Sequence, residues 1–106
     1  MKVYIIRERS GINAKGEYDP VTRALTVLRG SVLSATIAYT EKFRGAKSIE
    51  KSRAGVMKDN VLQKDVVFKS ASTAANFVTG TSTNGLTAWK DNNGRSIKEY
   101  ITEAEG

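Results

Sequence analysis

A chain of 106 residues, 40% apolar and 26% charged, has the size and composition of one domain with a single core, and no stretch reaches the roughly 18 apolar residues of a membrane-spanning helix. It contains neither cysteine nor histidine, which excludes disulfides, zinc sites of the usual kinds and every catalytic arrangement built on an imidazole or a thiolate. Seventeen Lys and Arg against eleven Asp and Glu leave a net charge of +6, the sign that favours polyanionic partners such as nucleic acid.

KVYIIR, directly after Met1, is rich in β-branched and aromatic residues and reads as a strand ending near Glu8 to Gly11. With no basic, apolar and small-residue leader ahead of it, a cytoplasmic location is expected. INAKGEY alternates apolar and polar positions up to Asp19-Pro20, which initiates a turn, and TRALTVLRGS returns with Leu25 and Val27 on one face. The segment VLSATIAY continues it past a bend at Gly30, so residues 1–39 are expected to form a three-stranded antiparallel sheet.

The period then changes. Phe43, Ala46 and Ile49 recur three apart, predicting a helix from about Thr40 to Arg53 that ends at Gly55. VMKDNVLQKDVVF reads as a loop or strand pair. Ser70 or Ser72 is suited to cap a short helix whose apolar face is Ala74, Ala75, Phe77 and Val78, with Gly80 just beyond its end. Asn84-Gly85 predicts a turn of positive φ into a strand LTAWK, with Trp89 as a core anchor. After the DNNG turn, Ser96 and Glu99 have capping-box spacing and open a final helix with Ile97, Tyr100 and Ile101 inward and a frayed TEAEG tail. The expected fold is a single α+β domain spanning residues 1–106, a small antiparallel sheet with about three helices packed on it.

The small polar residues between Ser70 and Thr83 carry no nucleophile signature, because no base and no G-x-S-x-G elbow accompany them; capping and turn formation account for them. The glycine of Asp91-Asn92-Asn93-Gly94 falls at the fourth position rather than the sixth of a calcium loop, and no acids cluster at metal-ligand spacing. No catalytic residue, metal or cofactor is expected.

Charge is concentrated between Lys42 and Lys69, where eight bases meet three acids for a local +5. On the expected helix Arg44, Lys47 and Lys51 form one stripe opposite the apolar side. Such a stripe either binds phosphates, gaining from counterion release, or is simply a solvated helix face.

FKSASTAANFVTGTSTNGLTAWKDNNGRSIKEY resembles a small bacterial domain family of unknown function that is often appended to GIY-YIG nuclease domains and restriction-modification proteins. Phe68, Ser70, Ser72, Ala74, Ala75, Gly80, Ser82, Asn84, Gly85, Trp89, Lys90 and Gly94 carry the likeness, with Ala71 where that family has proline. KGEYDPVTRALTVLRGS resembles the family's entry, with Gly30 and Ser31 in place, so the likeness spans roughly residues 12 to 101. It departs in the basic middle, where Lys51-Ser52 stand in place of an apolar pair. The same pattern is similar to the restriction-enzyme and adenine-methylase associated modules, regarded as DNA-reading. Neither G-I-Y nor Y-I-G occurs here, so the resemblance implies an accessory module whose partner is a nuclease or methylase.

Charge and resemblance together lead to an expected noncatalytic duplex DNA-binding module, a monomer or homodimer, in a restriction, repair or mobile-element setting. Arg44, Lys47, Lys51, Arg53, Lys58 and Lys69 would contact phosphates, and Ser70, Ser72, Asn84 and Lys90 would add further contacts. The alternative is a protein-interaction or dimerisation module without nucleic-acid binding.

Overall fold

The computed structural model describes residues 1–38 and 46–105. KVYIIR forms β1 (Lys2–Arg7) and INAKGEY forms β2 (Ile12–Tyr18), paired antiparallel from Lys2 opposite Glu17 to Arg7 opposite Ile12. A 3-10 turn over Glu8–Ser10 joins them. In β2 the alternation is complete: Ile12, Ala14, Gly16 and Tyr18 are buried while Asn13, Lys15 and Glu17 are exposed, as a half-buried strand requires. Asp19 turns the chain, its carboxylate accepting from the Val21 and Thr22 N–H groups at 2.8 and 3.3 Å. Those bonds favour the ionised form and hold the Asp19 carboxyl below the usual range.

The next strand, β3 (Leu25–Val27), is short, and the chain beyond Gly30 does not prolong it. Instead Val32 bridges Asn13 on one side and Val61 on the other. A small hairpin of β4 (Met57–Lys58) and β5 (Val61–Leu62) follows, turned by Asp59 and Asn60, both at positive φ. The chain then returns as β6 (Val66–Phe68), which pairs with β3. The sheet therefore has four antiparallel strands in the order β1-β2-β3-β6 and takes its last strand from the middle of the chain. The α+β class stands, with a second two-stranded sheet and four α-helices among the described residues.

The helices pack on one another and, through one of them, on the buried face of the sheet. Helix α1 (Ala46–Arg53) buries Ala46 and Ile49. Helix α2 (Ala71–Thr79) starts at Ser70, whose hydroxyl accepts from the Thr73 N–H at 3.1 Å, and stops at Gly80 in the left-handed conformation. It lies across β2, β3 and β6 and buries Ala71, Ala74, Ala75, Phe77 and Val78.

Two expectations need correction past this point. LTAWK is not a strand: Asn84 has φ −76° and caps a short helix, α3 (Gly85–Ala88), by accepting the Leu86 N–H. The same side chain that favours a turn also favours a helix start, and contact with α2 decides between them. The last helix is α4 (Ile97–Glu105). Its Tyr100 is 41% exposed rather than inward, while Ile97 is buried. Trp89 is fully buried, as a core anchor should be. No helix among the described residues is long and apolar enough to cross a membrane.

Candidate nucleic-acid interface

Of the ten residues singled out from sequence, the nine described ones are spread over α1, the small hairpin, the start of α2 and the stretch 84–90. Arg44 lies outside the described residues. Lys47 and Lys51 are exposed on α1, Lys58 is exposed in the small hairpin, and Lys69 is exposed just before α2. Lys69 stands before the first turn of α2, whereas it is the Phe77 end of α2 that α1 approaches.

Arg53 has turned inward. Its guanidinium donates to the Phe77 carbonyl at 2.7 and 3.1 Å, to the Ser34 carbonyl at 2.9 Å and to the Ser34 hydroxyl at 2.8 Å. It also lies 5.9 Å from the centre of the Phe77 ring. A cation on the final carbonyls of α2 suits the negative end of the helix dipole, so Arg53 clamps α1 to α2, with its guanidinium committed to protein oxygens. Arg53→Gln is expected to lower stability by about 2–3 kcal/mol, the scale of lost hydrogen bonds to a charged group, while leaving polyanion affinity of the folded protein unchanged. Urea denaturation beside a binding titration separates the two effects.

The polar trio also has structural work. Ser70 caps α2, Ser72 accepts the Gly85 N–H at 3.1 Å, and Asn84 caps α3. The hydroxyls of Thr79 and Thr83 lie 2.7 Å apart, and the Asn76 side-chain oxygen accepts the Thr83 N–H at 2.8 Å. At its end the Ser/Thr cluster, through Thr81, Ser82 and Thr83, lines one wall of a groove.

That groove has a volume of about 950 Å³. One wall is β1 and β2, contributing Tyr4, Ile6, Arg7, Asn13 and Lys15; the other is the segment from Thr81 to Asn92. Its origin lies in a single pairing. Lys90 exchanges two backbone hydrogen bonds with Tyr4, at 2.7 and 3.0 Å, and so begins a fifth strand beside β1. Two residues earlier the chain is already helical in α3, so the place opposite Ile6 is left open.

Three cations line this groove, Arg7, Lys15 and Lys90, against one acid, Asp91. Asp91 is partly committed, one carboxylate oxygen accepting the Asn93 and Arg95 N–H groups at 2.8 and 3.0 Å. Around them stand the amides of Asn13, Asn84 and Asn92 and the hydroxyls of Tyr4 and Ser82, donors suited to phosphate and sugar oxygens. Trp89 offers no face to a base, because its ring is in the core. Among the described residues singled out from sequence, Asn84 and Lys90 reach the groove; Tyr4, Arg7 and Lys15 were missed. The exposed face of β2 did mark Lys15 as solvent-facing. Nothing local marks its approach to Lys90, which depends on residue 4 pairing with residue 90. Among the described residues no group of His, Asp or Glu is placed to hold a metal ion.

An α+β domain carrying an open, cationic groove at the edge of its sheet is the class that fold and site define. The family model "Domain of unknown function (DUF4357)" matches residues 4–101, and the chain belongs to that family. Neither a curated protein nor a solved structure matches it.

Proposed function

We propose that this chain is a noncatalytic module that binds nucleic acid, duplex DNA in the first place, through the groove between β1 and the Thr81–Asn92 segment. The observation that carries this reading is the gathering of Arg7, Lys15 and Lys90 around one concave surface with amide and hydroxyl donors between them. Phosphate contacts position a duplex and release counterions, and they require convergent cations rather than a charged stretch of sequence. Lys47 and Lys51 on α1 form a second basic surface that adds to the field without sharing the groove. In a restriction, repair or mobile-element setting, the chemistry would belong to a partner nuclease or methylase, and this domain would hold the DNA.

A fluorescence anisotropy titration of labelled duplex DNA at two salt concentrations tests the reading. The pair Arg7→Gln and Lys15→Gln is expected to weaken binding about tenfold or more and to flatten the slope of log affinity against log salt by about 2, roughly one unit per lost phosphate contact. The pair Lys47→Gln and Lys51→Gln should cost less. If the α1 pair abolishes binding and the groove pair does not, the interface belongs to the helix; absence of salt-sensitive binding by the unaltered protein refutes the proposal.

A further inference from the structure

The second edge of the sheet, β6, points to a different surface. Hydrogen bonds from the Asp19 N–H to the Ala24 carbonyl and from the Leu28 N–H to the Lys15 carbonyl set the alternation between β2 and β3. By that alternation Thr26 turns its backbone groups to β2, while Leu25 and Val27 turn theirs to β6 and bond Phe68 and Val66. Val67, opposite Thr26, must then point its N–H and C=O away from the sheet, and among the described residues nothing pairs with them. Its side chain is 69% exposed, on the solvent face of the sheet. Within β6 itself no lysine or proline blocks strand addition, and the charged Asp65 and Lys69 lie just outside the strand, one at either end.

We infer that β6 is a self-pairing edge through which two copies of this chain associate antiparallel about Val67, forming one continuous sheet. Antiparallel pairing about residue 67 sets residue 65 of one copy opposite residue 69 of the other. Those residues are Asp65 and Lys69, both exposed, so the twofold axis brings each acid to a base twice over. Val67 meets its own counterpart as a hydrogen-bonded pair, exchanging the two backbone bonds that the single copy lacks. The Asp65 oxygen that accepts the Arg29 N–H at 2.7 Å leaves the other oxygen of that carboxylate for the lysine. The opposite edge is unsuited to the same use, since Lys90 already occupies Tyr4 there. A three-residue strand buries little area, so the dimer is expected to be weak and concentration-dependent rather than obligate. The groove lies at the β1 edge, the far side of the sheet, so this inference stands independently of the nucleic-acid reading.

Sedimentation velocity of the whole chain from micromolar to near-millimolar concentration tests it without any DNA. The mass should rise from 11.5 kDa toward twice that value. Val67→Lys, which sets two ammonium groups at the axis, should weaken association at least tenfold; Lys69→Glu, which sets acid against acid, should do the same. The double exchange Asp65→Lys with Lys69→Glu should restore association to within about threefold of the original, with circular dichroism confirming that each variant is folded. A monomer at every concentration overturns the inference. So does a dimer indifferent to both single variants, or a folded double variant no tighter than Lys69→Glu alone.

Discussion

Gly85→Ala is expected to lower stability by about 3 kcal/mol or more, and Tm by roughly 15 °C, the upper range for overpacking a domain of this size. A Cβ at position 85 would fall on the carbonyl group of Ala71 and the backbone nitrogen of Ser72. Those are main-chain atoms of the first turn of α2, which cannot rotate aside as a side chain can. Relief would require α3 to withdraw from α2, breaking the bond from the Gly85 N–H to the Ser72 hydroxyl. It would also displace the Gly85 carbonyl that accepts the Trp89 N–H. Thermal unfolding followed by far-ultraviolet circular dichroism measures the loss. A Tm within a few degrees of the original would mean that α3 does not rest on α2 so closely.

Trp89→Ala is expected to cost about 3–5 kcal/mol, the usual range for deleting a buried aromatic side chain. Two features set it apart from other core positions. The indole N–H donates to the Ala71 carbonyl at 3.0 Å, and the ring lies so close to β2 that its Cζ3 would be 3.2 Å from a Cβ at Gly16. Trp89→Phe isolates the first feature, because it retains most of the apolar contact but leaves the carbonyl without its indole donor, at about 1–3 kcal/mol. Guanidinium denaturation of both variants should rank them with alanine the more damaging. Equal losses would place nearly all of the effect in the hydrogen bond. Because Trp89 and Gly85 hang the Thr81–Asn92 segment on α2, both substitutions also act on a wall of the groove.

The match between sequence and fold is uneven, for identifiable reasons. The strands β1 and β2 were legible because alternation with period two is a local property, and α2 because a serine cap, a buried alanine-rich face and a terminal glycine all lie within eleven residues. Asn84-Gly85 was misread because that pair favours a turn and a helix start alike, and only the close approach of residue 85 to Ala71 distinguishes them. Arg53 was grouped with the phosphate-contacting bases because nothing local in the sequence reveals that the Phe77 and Ser34 carbonyls lie within its reach. Among the groove cations, Lys90 stood in a recognisable W-K step. Arg7 gave no sign beyond being the polar end of β1, and Lys15 none beyond lying on the exposed face of β2.

By itself the sequence determined what this protein is not and what its pieces are. The absence of cysteine and histidine removes whole classes of chemistry, since no fold can supply a missing imidazole or thiolate. The excess of base sets the sign of its field, and the local periods set its strands and helices. Tertiary structure alone decided which of the seventeen bases share a surface and which one becomes a clamp. It also decided that β6 closes the sheet and leaves Val67 at its edge. Charge and period are properties of neighbouring residues, whereas the distance between Lys15 and Lys90 follows from β1 accepting a partner on each side, one hydrogen-bonded pairing of which joins positions 86 residues apart.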